Sequence, residues 1–105
     1  MVAHVDLNLG AEWVCVPTDW EEIKEIRIRI EENRIEALYV KPEAIEKEVY
    51  LINEAVQRSD GMLGLKGTPF SLLRFSSENR IIISRLPDGK ERPYSYIFKA
   101  EKRSF

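Results

Sequence analysis

The sequence predicts an α+β fold: antiparallel sheet of five to seven strands, one long amphipathic helix over 42–58 and a short helix near 18–25. Three observations predict it. Ile26, Ile28 and Ile30 alternate with Arg27, Arg29 and Glu31, a period of two that marks a strand. Ile45, Val49, Ile52 and Val56 follow one another at spacings of four, three and four, the seam of an amphipathic helix. Glu78-Asn79 and Asp88-Gly89 punctuate apolar runs near the C-terminus, as hairpin turns do.

A chain of 105 residues, 44% apolar and 32% charged, fits a single domain over 1–105, with 1–10 as an extended arm and 101–105 as a charged tail. In the arm, Val5, Leu7 and Leu9 alternate with Asp6 and Asn8; after Gly10-Ala11, the run Glu12 to Val16 is aromatic and β-branched and reads as a firmer strand. Beyond Pro17, Thr18-Asp19-Trp20-Glu21 has the capping-box arrangement, in which Thr18 takes an orphan amide and Glu21 reaches back. The short helix starts there and gives way to the isoleucine alternation.

The next turn can be placed in register. With Glu32-Asn33 as a two-residue loop, Ile30 faces Ile35, Ile28 faces Ala37 and Ile26 faces Tyr39 on one apolar face. The other face sets Glu31 against Arg34 and Arg29 against Glu36, each pair worth about 0.2–1 kcal/mol.

Pro42 suits the first position of the long helix, because its missing amide costs nothing there. Ala44, Leu51 and Ala55 widen the apolar seam, Glu43–Lys47 and Glu54–Arg58 pair on the solvent side, and Tyr50 points away from the core. Ser59-Asp60-Gly61 ends the helix, and Gly61, Gly64, Lys66 and Gly67 form a flexible loop that can act as a flap over a ligand. That loop lacks phosphate-loop spacing and leads into a strand rather than a helix. Three strands complete the chain, over Phe70–Ser76, Arg80–Leu86 and Arg92–Ala100.

This order of short helix, hairpin, long helix and three-stranded meander, over 18–100, resembles the roadblock and profilin-like architecture. The resemblance implies a central antiparallel sheet that carries helices, pairs into dimers and docks a protein partner.

The composition excludes several function classes. His4 is the single histidine and Cys15 the single cysteine, so no Ser-His-Asp or Cys-His set, His- or Cys-rich metal site or disulfide framework is expected. The expectation is a non-enzyme without cofactor or metal, with a site shared between subunits as the alternative left open. One cysteine, no basic leader and no long apolar run predict a cytoplasmic protein without membrane insertion. The content of Glu, Lys, Arg and Ile is similar to that of thermophile proteins.

Charge is unevenly spread: residues 1–23 carry −5, residues 24–58 carry −1 and residues 59–105 carry +4. With Asp88-Gly89 as a two-residue loop, Ile83 opposes Tyr94 and Ile81 opposes Tyr96, while Phe98 and Arg85 share their face; with Glu78-Asn79 likewise a two-residue loop, Arg74 opposes Ile83, Leu72 opposes Arg85, and both join it. A face of three rings and two arginines, with Arg92 and Lys99 beside it, is suited to single-stranded nucleic acid: bases stack on rings and arginines neutralise phosphate. The competing reading makes Tyr94, Tyr96 and Phe98 core residues beneath the long helix, leaving a spare apolar sheet face to close a homodimer or dock a partner.

Overall fold

The computed structural model describes residues 12–74, 79–87 and 92–101. Every regular element among them is a strand: β1 (Glu12–Cys15), β2 (Glu25–Ile30), β3 (Arg34–Val40), β4 (Ile45–Leu51), β5 (Glu54–Gln57), β6 (Leu63–Lys66), β7 (Phe70–Arg74), β8 (Arg80–Arg85) and β9 (Tyr94–Glu101). They form one antiparallel half-barrel in the order β4-β3-β2-β1-β9-β8-β7-β6-β5. The α+β expectation is therefore overturned. The element order behind the roadblock and profilin-like resemblance disappears with the two helices that defined it.

The helix expected over 42–58 is instead β4, a corner at Ile52-Asn53, and β5. Its seam was coincidental. In β4, Ile45, Val49 and Leu51 face outward and are 63, 46 and 66% exposed, while Glu48 and Tyr50 turn inward to polar partners. Strand alternation is thus present but inverted, with apolar side chains outside, and a hydrophobicity pattern cannot reveal that. The short helix near 18–25 is a single turn closed by a bond from the Ile23 amide to the Trp20 carbonyl at 3.1 Å. β2 begins at Glu25 and leaves no room for a second turn.

The β2–β3 hairpin has the register its sequence predicts, Ile26 with Tyr39, Ile28 with Ala37 and Ile30 with Ile35. All six are buried. On the outer face Arg34 bonds Glu31 at 2.8 Å, whereas Glu36 is drawn to Lys47 at 3.4 Å and Arg29 lies 3.8 Å from Glu12. The two C-terminal pairings run two residues away from expectation: Ile83 opposes Tyr96 and Leu72, and Ile81 opposes Phe98 and Arg74. A shift of two preserves the face, so the anticipated group of side chains stays together. Glu78 and Asp88-Gly89, which were expected to turn these hairpins, lie outside the described residues.

One curled sheet supplies its own core, because its concave face closes upon itself. Ile28 and Ile35 from one side and Phe98, Ile83 and Phe70 from the other are 0–2% exposed. Each such side chain contributes about 1.5–3 kcal/mol of burial. The sheet's two edges, β4 and β5, meet only at Ile52-Asn53. There the Ile52 amide continues the β3 ladder through Asn33, and the Asn53 amide continues the β6 ladder through Lys66, both at 2.8 Å. Gly67 packs against this corner at φ 92°, where an added Cβ would sit 2.8 Å from the Leu51 carbonyl oxygen. β4 and β5 are not paired, and their Cα atoms stay more than 8 Å apart. No helix among the described residues is long and apolar enough to cross a membrane.

Candidate functional site

The aromatic and arginine face lies inside the half-barrel. Arg85 on β8 is fully enclosed; its Nε donates to Glu48 Oε1 at 3.1 Å and its Nη2 to Glu48 Oε2 at 2.6 Å. Nη2 also reaches the Tyr50 hydroxyl at 3.2 Å, and Nη1 bonds the Leu86 carbonyl at 3.2 Å. The Tyr39 and Tyr50 hydroxyls both donate to Glu48. Tyr39 and Tyr94 share a further hydroxyl bond at 2.9 Å. This network is a buried, mutually satisfied clip joining β4 and β3 to β8 and β9. Burial drives the Tyr39 and Tyr94 hydroxyls far above the ordinary phenol range, and nearby Glu48 adds to both shifts.

A second cluster closes one end. Trp20, on the loop after β1, tilts over Tyr39 and Tyr94 at 6.2 and 5.8 Å between ring centroids, and Tyr96 stacks on Tyr94 at 5.4 Å. The Arg92 guanidinium lies over Trp20 at 4.8 Å, with the Asp19 carboxylate 3.7 Å away. Asp19 also accepts the Tyr96 hydroxyl at 2.7 Å. Burial, followed by Asp19, pushes Tyr96 up to about 12. Neighbouring Cys15 is buried, and that burial with the Asp19 charge lifts its thiol to about 11.

The predicted nucleic-acid residues are thus divided among three environments. Arg85, Tyr94 and Phe98 belong to the interior, Tyr96 and Arg92 to the closed end, and Lys99 to the outer face opposite Val14 and Arg80. Arg74 ends β7, and its side chain lies outside the described residues. The rings expected beneath a helix lie beneath strands. Nor is the glycine segment one long loop: Gly64 and Lys66 belong to β6, and only Gly61 and Gly67 occupy turns, at φ 88° and 92°.

What sequence reasoning missed is the outward side of β4. Two backbone bonds, Lys41 amide to Ala44 carbonyl and Ile52 amide to Asn33 carbonyl, set the ladder's parity: even-numbered β4 residues bond β3. The amide and carbonyl groups of Ile45, Lys47, Val49 and Leu51 consequently point away from β3, to the edge that no described strand covers. Lys47 is the one charged residue among these four, and its ammonium is pulled back over β3 to Glu36. Three of the six exposed large hydrophobic side chains among the described residues lie on this strand. Val16 and Ile97 form a smaller patch beside a shallow groove between β1 and β9. The β-branched Ile45 and Val49 were the available signal, favouring strand over helix.

Among the described residues, no group of three or more His, Cys, Asp or Glu is placed to hold a metal ion. No protein-family model, no curated protein and no solved structure matches this chain.

Proposed function

We propose that this protein is a non-catalytic interaction module that accepts an extended strand along β4. The observation that carries this reading is that, among the described residues, no strand pairs with the outer edge of seven-residue β4, where Ile45, Val49 and Leu51 are exposed. Long apolar edges are ordinarily blunted by charge, proline, bulges or a covering element. Here the single lysine is engaged with Glu36, and the opposite edge stays more than 8 Å away, wider than the ~4.8 Å spacing of paired strands. An added strand would gain backbone hydrogen bonds on one side and aliphatic contacts on the outer face.

A photoreactive residue at Lys47 tests the reading in cells. Covalent adducts to a polypeptide are expected from position 47 and not from a control at exposed Glu21. Adducts from neither position, or from Glu21 alone, reject strand addition. The nucleic-acid reading has less support, since Arg85 is held by Glu48 and Arg92 stands beside Asp19.

A further inference from the structure

Resting on the strand-addition reading, we infer that the added strand is β4 of a second copy, paired antiparallel about a two-fold axis at Glu48. In this register Ile45 opposes the partner copy's Leu51, and Lys47 opposes its Val49. All four are edge-facing residues on the outer side, so their amides and carbonyls meet directly. The whole of β4 is then matched with a strand of the same length and the same apolar pattern. The central rungs of 47 with 49 carry the pairing, because the Leu51 carbonyl at the corner is crowded by Gly67.

Strand length selects this register over its neighbours, because an axis at residue 47 or 49 would leave two residues of each β4 beyond the end of its partner. An axis at residue 47 would in addition set the exposed Lys47 side chains of the two copies directly opposite one another. With the axis at Glu48, the two Glu48 carboxylates do face one another. Each is already neutralised by its own Arg85 at 2.6 Å and turned into its own barrel. One added edge strand is a small contact of the kind weak, reversible associations use, so the pairing is sought at micromolar and higher concentration.

Sedimentation velocity on the intact chain across the micromolar range tests this with two substitutions at one exposed position. In the proposed register, Val49→Lys places lysine against the partner's Lys47 twice per dimer, and the dimer boundary should vanish. Val49→Glu places glutamate against Lys47 twice, and the dimer should persist to lower concentration than in the wild type. Within the monomer the effects run oppositely, because residue 49 opposes Glu36 on β3. Lysine there favours the fold and glutamate opposes it, so a folding artefact cannot imitate the expected order. A monomeric wild type overturns the inference, as does a dimer that survives Val49→Lys or weakens with Val49→Glu. If position 47 crosslinks in cells to a different polypeptide while the purified chain remains monomeric, strand addition stands and the second-copy assignment falls.

Discussion

Arg85 and Glu48, 37 residues apart in sequence, form a two-pronged ion pair through the half-barrel, at 3.1 and 2.6 Å, tying an edge strand to the far wall of the sheet. The Arg85 side chain is wholly enclosed and that of Glu48 is 13% exposed, so neither charge is well served by water if the other is lost.

Glu48→Ala should therefore destabilise the fold by about 3–5 kcal/mol, because it leaves a buried guanidinium uncompensated. The double variant Glu48→Leu, Arg85→Met removes both charges and should recover most of that loss. Urea unfolding of the three proteins provides the comparison. Equal losses in the single and double variants would mean that the pair itself contributes net stability.

Alkaline pH should unfold the protein earlier than solvent-exposed phenols and thiols would require. Tyr39, Tyr94, Tyr96 and Cys15 are all raised in the folded state, so the folded chain retains protons that the unfolded chain releases. Their contribution is fully present below the unfolded values, about 8.5 for cysteine and about 10 for tyrosine. It diminishes as pH rises towards about 11 for Cys15 and about 12 for Tyr96. Stability measured by urea titration at successive pH values should fall across that window, and the Cys15 thiol should resist alkylation at neutral pH. Rapid labelling of Cys15 in the folded protein would contradict its burial.

Gly67→Ala should cost more than about 1 kcal/mol, since its φ of 92° disfavours a side chain and a Cβ would strike the Leu51 carbonyl at 2.8 Å. Gly64→Ala meets the flexible Arg58 side chain at 3.3 Å and the Val56 carbonyl oxygen at an ordinary 3.7 Å, and should shift stability by about 0.5 kcal/mol or less. Midpoints of chemical unfolding give both values. Equal effects at the two positions would remove the corner from the account of how the sheet edges are joined.

Single-stranded oligonucleotides should show no binding at low salt that depends on Tyr94 or Phe98, because both rings are packed in the interior. Fluorescence anisotropy with a labelled oligonucleotide makes the measurement. A salt-dependent isotherm abolished by Tyr96→Ala and Arg92→Ala would instead reinstate the nucleic-acid reading at the closed end.

The β2–β3 hairpin was legible because its information is local: isoleucines at alternate positions, a turn between them and complementary charges establish a register without reference to the remaining chain. Shared-face membership of Leu72, Ile81, Ile83, Arg85, Tyr94, Tyr96 and Phe98 was legible for the same reason, although the pairing slid by two. What they face was not legible. Among the described residues Tyr94 and Phe98 cover no helix; they are buried beneath the opposite wall of the same curled sheet.

Residues 42–58 carry both a helical spacing and strand-favouring residues, and local preference alone does not choose between them. The choice depends on Arg85: only with a guanidinium waiting across the barrel does an inward Glu48 become tolerable, leaving Ile45 and Val49 on the outside. Local residue order was enough for the alternation, the first hairpin and the grouping of side chains by face. Tertiary structure decided which faces are inside and that β4 is an edge, because sheet curvature and a buried ion pair join residues that no local pattern connects.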